Sequence, residues 1–162
     1  MRTLAIGLAL ALLSTSAFAQ APAPGAAAMM KSFVSSADVA ALVAKAKSDR
    51  KPDQALLVQK LVELPPYTVN LEYRVAVANA AVHEREGELF YVIDGSATMV
   101  TGGTLVDGKR TNPENLTGTG IQGGTTRKVA KGDFVMVPEG APHWFSAIDG
   151  SVVLMSIHLP KK

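Results

Sequence analysis

Apolar positions along this chain change their period twice. Leu4 to Leu13 is a short apolar run broken only by Gly7. Further on, Val39, Leu42, Val43 and Ala46 recur at helical spacing and share one face. Ser36 or Ser35 can cap this helix, and Asp38 suits its first turn. Ser48-Asp49-Arg50-Lys51-Pro52 ends it, because proline is disfavoured inside a helix. The apolar stripe either packs on its own domain or offers a face to a partner. From Gln54 onward the pattern becomes that of strands. They are expected at 55–63, twice within 67–82 with a bend, and then at 89–93, 96–101, 104–106, 125–130, 134–137, 144–147 and 151–159. Asp94-Gly95 reads as a turn between two of them. Residues 107–120 read as a polar, Gly/Thr-rich loop. Short strands with regular turn signals argue for an all-β sandwich or barrel carrying one N-terminal helix.

The first segment belongs to neither pattern. Arg2 precedes the apolar run, and Ala17-Phe18-Ala19 follows it as a small-x-small cleavage site. Residues 1–19 therefore read as a signal peptide, which predicts a periplasmic or secreted protein. The alternatives are an uncleaved anchor or a buried helix. The run is too short to span a bilayer, which takes about 20 residues, so no stable membrane insertion is expected after cleavage. Residues 20–34 begin as an uncharged Ala/Pro/Gly stretch and read as a flexible leader. Residues 35–162 are then one domain. Cleavage would leave 143 of the 162 residues, enough to bury about two-thirds of the unfolded surface.

Cleavage also changes the charge. Losing Arg2 takes the 16 basic residues to 15 against 14 acidic ones, so a net +2 becomes +1. No basic stripe is present, and no nucleic-acid partner is expected. The chain has no cysteine, which excludes disulfides, thiolate metal sites and a cysteine nucleophile. Any metal site must use nitrogen and oxygen ligands, and only three histidines are available: His83, His143 and His158.

Two of these stand in informative surroundings. His83 ends an expected strand, and Glu88 starts the next across a short charged turn. In a hairpin the two side chains can face the same space. Pro138, Gly140 and Pro142 form a rigid turn that delivers His143 at a strand start. If the sheet closes, all three groups can meet in one mouth. Two imidazoles and a carboxylate suit Fe, Mn or Zn and leave positions open for substrate. Read singly, each histidine could instead be a hydrogen-bonded core residue.

These stretches resemble the two signature motifs of the cupin superfamily, small β-barrels of the jelly-roll type. Gly132, Pro138, Gly140 and His143 match the second motif, although Ala147 replaces its usual asparagine. Glu88, the Phe90-Tyr91-Val92 segment and Gly95 match the first. There His83 takes the second histidine position, Ala81 stands at the first, and Val75 replaces a glycine. Aligning His83 with the first histidine and Arg85 with the second leaves too few residues before Glu88. The motif region spans 81–143, and the resemblance extends over roughly 68–159.

The resemblance implies a jelly-roll barrel and a divalent metal, Fe, Mn, Zn or Ni, on His83, Glu88 and His143. It also implies a homodimer. The function expected is that of a metal-dependent enzyme of oxygenase or isomerase type acting on a small polar molecule. The alternatives are a non-catalytic binder of a sugar or organic acid, and a metal-free isomerase with a histidine base. Strand alternation puts Asn79 and Ala81 on the His83 face, and Phe90 and Val92 on the Glu88 face, with Tyr91 facing away. Asn79, Ala81, Phe90 and Trp144 are the candidates for the substrate pocket, Trp144 either stacking on substrate or sealing the barrel. Arg85 could gate an anionic substrate, but Glu84, Arg85 and Glu86 read more simply as a solvated turn. His158 has an inward parity with Val152 and Leu154, yet an edge or surface position is the expectation for it.

Overall fold

The computed structural model describes residues 31–161; the expected signal peptide and most of the leader lie outside the described residues. Helix α1, Ser36–Asp49, starts where the sequence placed it, and Ser35 is the cap. The Ser35 hydroxyl accepts from the Asp38 N–H at 3.1 Å, and the Asp38 carboxylate accepts from the Ser35 N–H at 3.1 Å. Val39, Leu42, Val43 and Ala46 then pack onto the barrel's outer surface, against Leu61, Leu71 and Val153. The apolar stripe of the helix is spent on its own domain.

Eleven strands follow among the described residues: β1 Leu56–Leu64, β2 Tyr67–Arg74, β3 Ala80–His83, β4 Glu86–Thr101, β5 Thr104–Val106, β6 Lys109–Asn112, β7 Asn115–Gly118, β8 Gly120–Gln122, β9 Thr125–Ala130, β10 Phe134–Val137 and β11 His143–Pro160. All pairings are antiparallel. The last strand ties the barrel together. Its first residue pairs with Ala81 of β3. Its second half pairs with β2. Along almost its whole length it pairs with β4.

That long β4–β11 ladder corrects two expectations. Asp94-Gly95 does not reverse the chain; β4 continues through it with a bend. Gly95 has φ +77°, and a Cβ there would sit 2.0 Å from the Ser151 carbonyl oxygen, so only glycine allows β11 to cross so closely. The register shift between Ile148 and Val152 makes the matching irregularity in β11, which is likewise one strand rather than two. The expected loop 107–120 is also structured. It holds the hairpin β6–β7, whose second strand pairs with β3. Every residue of β6 is exposed, so it has no apolar alternation from which a strand could be read.

The closed end of the barrel is a packed apolar cluster that includes Phe90, Val92, Met99, Val135, Phe145 and Leu154. Burying side chains of this size stabilises the fold by about 1.5–3 kcal/mol each. The other end is open and polar. Among the described residues no helix is long and apolar enough to cross a membrane.

Candidate metal centre

Register explains how the polar end is assembled. His158 lies directly opposite Glu88 on β4 and Thr68 on β2. Directly opposed residues of neighbouring strands share a face, with their Cβ atoms about 5 Å apart. His143 lies opposite Ala81, which sits two residues before His83 on the same face of β3. The expected β3–β4 hairpin does not form, since β3 pairs with β7 and β11. His83 and Glu88 meet across the barrel mouth instead.

Three imidazoles converge on one carboxylate. Glu88 Oε2 is 3.1 Å from His143 Nε2 and 3.4 Å from His83 Nε2, and Oε1 is 3.4 Å from His158 Nε2. The His83 ring centroid is 5.3 Å from that of His143 and 5.3 Å from that of His158. One ligand atom each from His83, Glu88 and His158 lie within 4.8 Å of one another, the spacing of a metal-ligand set. Glu88 and His143 are buried; His83 and His158 are half-buried at the mouth. The edge or surface position expected for His158 is therefore corrected. Its inward parity was the available signal, and the β4–β11 register turned that parity into contact. The imidazole that the cupin-like motif lacks at Ala81 is matched by one arriving from the last strand.

Outer partners orient these rings. Asn115 Oδ1, on the hairpin strand β7, lies 2.7 Å from His83 Nδ1. Glu86 Oε1 lies 2.7 Å from His158 Nδ1. Both oxygens can only accept, so both Nδ1 atoms carry hydrogen and both Nε2 atoms are turned toward Glu88. Glu86 thus belongs to the site rather than to a solvated turn. Glu84 does not, being paired with Arg110 at 2.7 Å and 3.0 Å. Sequence reasoning missed Asn115, because residues 107–120 carried no strand signal.

A neutral Nε2 facing an ionised carboxylate is a contact between two acceptors. It is favourable only with positive charge between them, either a proton or a metal ion. Burial opposes ionisation of Glu88, but hydrogen bonding from His143 and His83 outweighs it and holds the carboxyl far below its ordinary range. Burial likewise opposes the charged form of His83, yet hydrogen bonding with Glu88 and Asn115 raises its pKa.

The cluster lines a cavity of about 470 Å³. Asn79 and Ala81 line it as well. Phe90 and Trp144 do not, and their placement as pocket residues is corrected. Phe90 is fully buried in the core behind His143, with ring centroids 5.7 Å apart. Trp144 is tied by its indole N–H to the Ala78 carbonyl at 2.9 Å and covers Gly120. Arg85 is exposed and lines a separate surface cleft with Glu86, Glu114, Pro160 and Lys161.

The far wall of the cavity was not anticipated. Thr68, Asn70, Glu72 and Arg74 alternate along β2, and the last three line the cavity. Glu72 is buried and binds Arg74 through Oε2 alone, 2.8 Å from Nε and 2.6 Å from Nη2. The Arg74 guanidinium stacks 4.5 Å above the centre of the Phe145 ring. Ser156, opposite Asn70, is fully buried, and its hydroxyl has no hydrogen-bond partner among the described residues. Such a group typically costs about 1–3 kcal/mol.

Comparison with known proteins agrees with this geometry. A sequence model of the family described as Cupin matches residues 58–160. The chain belongs to the cupin family. Among curated proteins none matches it. Among solved structures this cupin is similar to KdgF from Halomonas sp., at 14% identity and a TM-score of 0.51, covering 70% of this chain and 86% of that one. It is similar to TT1209 from Thermus thermophilus at 14% identity and a TM-score of 0.50, covering 70% and 90% respectively. At such identities the likeness is one of fold, and the cupin jelly-roll barrel is that fold.

Proposed function

We propose that this cupin is a divalent-metal-dependent enzyme acting on a small polar molecule at the barrel mouth. His83, Glu88 and His143 would hold the ion, with His158 in place of the imidazole absent at position 81. One observation carries the reading: Nε2 atoms converge on a single carboxylate while the Nδ1 protons of His83 and His158 are committed to Asn115 and Glu86. The donors are all nitrogen and oxygen, which suits Fe, Mn, Zn or Ni. A bound ion of this kind supplies Lewis-acid polarisation of a substrate oxygen.

The chain's own residues do the remainder. Asn115 and Glu86 fix the ring orientations. Ala81 leaves room beside His143 for a substrate atom. The expected signal peptide extends the proposal to an exported enzyme.

Metal analysis of protein purified without a polyhistidine tag tests this. Stoichiometric metal is expected in the natural sequence, with loss in His83→Ala, His143→Ala and His158→Ala. Substoichiometric metal that these substitutions leave unchanged overturns the proposal in favour of a metal-free ligand binder. Oxygen uptake with candidate substrates then separates oxygenase from isomerase chemistry.

A further inference from the structure

The polar wall of β2 has no part in holding a metal, yet it shares the cavity with the histidine cluster. β2 is sharply two-faced. Val69, Leu71 and Tyr73 pack under α1, while Asn70, Glu72 and Arg74 are turned to the cavity. A strand that only closed the barrel would place apolar residues here, as β4 does with Phe90 and Val92.

The charges in this wall cancel. Arg74 is engaged by Glu72 through two donors and stacked on Phe145, so its side chain is fixed at both the charge and the ring. Both donors fall on Oε2, leaving Oε1 of Glu72 and Nη1 of Arg74 outside the pair. An incoming carboxylate or phosphate would meet a cation already neutralised and a buried anion beside it. A hydroxyl group both donates and accepts, and it can use the carboxylate oxygen and the guanidinium N–H together. The amide of Asn70 offers the same two-way bonding. Spacing adds a size. From the row of His158 and Thr68, Asn70 is about 7 Å and Glu72 about 13 Å along the strand. A monosaccharide-sized molecule matches the shorter of these spans.

We propose that Asn70 and the Glu72–Arg74 pair form a subsite for an uncharged, polyhydroxylated substrate, one end of which reaches the histidine cluster. The substrate class is thus a neutral polyol or sugar rather than an organic acid. This rests on the metal-centre reading, because the ion would fix the other end of the ligand.

Calorimetric titration of the metal-loaded full chain tests it, with probes matched in shape and differing in charge: D-glucose against D-glucuronate, and erythritol against tartrate. Each neutral probe is expected to bind more tightly than its charged counterpart. Glu72→Gln leaves the Arg74 charge uncompensated and should reverse the order, weakening the neutral probes and strengthening the anions by about tenfold each. Asn70→Ala should weaken the neutral probes alone. Tighter binding of the anions by the natural sequence, an order unchanged in Glu72→Gln, or no binding of any probe overturns the subsite. Should Glu72→Gln fail to fold, the order in the natural sequence and in Asn70→Ala decides. The metal reading fails separately, by absence of metal; preference for anions in a metal-loaded protein sinks only the subsite.

Discussion

Strands β2 and β4 line the same barrel and differ in what they turn inward. On β4 the inward residues pass from Glu88 to Phe90 and Val92, so the strand leaves the polar mouth within one step and enters the packed core. On β2 the row Thr68, Asn70, Glu72 and Arg74 stays polar throughout. The interior is therefore divided lengthwise as well as end to end. One wall supplies the cohesion that holds the fold, and the other, two strands away across β11, leaves a polar cavity. The histidine cluster sits where the two meet. A buried ionisable group such as Glu88 is tolerable there because imidazoles and the cavity flank it, with apolar packing only behind.

That division predicts unequal responses. The largest concerns the packed wall. Phe90→Ala should destabilise the protein by about 3–5 kcal/mol in denaturant unfolding, because it opens a cavity between Phe145 and His143. A smaller loss would mean that the core wall is looser than its burial indicates. Next comes the outer partner of His83. Asn115→Ala should weaken metal binding by roughly 10–100-fold while moving the unfolding midpoint little, since only ring orientation is lost. An unchanged metal affinity would show that the β6–β7 hairpin is no part of the site.

The smallest effect is one of pH on metal-free protein. The folded pKa of His83 lies above its ordinary 6.5, so its contribution to stability is complete below that value and is lost as pH rises through the folded pKa. The folded pKa of Glu88 lies far below its ordinary 4.5, so its contribution is complete above that value and is lost only as pH falls through the folded pKa. The cluster should therefore stabilise metal-free protein most between pH 4.5 and 6.5. Chemical denaturation across that range checks it. Stability from this pair that keeps rising above pH 6.5 would show that His83 is not charged against Glu88.

Much of the fold is legible in short stretches of the sequence. The Ser35–Asp38 box, the stripe from Val39 to Ala46 and the run of short strands are local signals, and each reports on residues within a few positions of itself. The turn at Pro138 to Pro142 likewise delivers His143 where expected. Strand continuity was not readable at Gly95, because a glycine with positive φ serves a tight turn and a bend under a crossing strand equally well. The hairpin at 109–118 was hidden because its outer strand β6 faces solvent and needs no apolar alternation.

The sequence by itself therefore determined the β class, the capping helix, the family and the ligand types, since a cysteine-free chain with three histidines has few ways to build a metal site. Tertiary structure decided which groups meet. His158 is 70 residues from Glu88 in the chain and becomes its neighbour only through the β4–β11 register. Asn115 reaches His83 only because β7 pairs with β3. The polar row of β2 becomes a wall of the site only because β11 lies between β2 and β4. The physical reason is common to all three. Register between distant strands is set by the sum of many cross-strand contacts and by bulges, and no single residue carries that information.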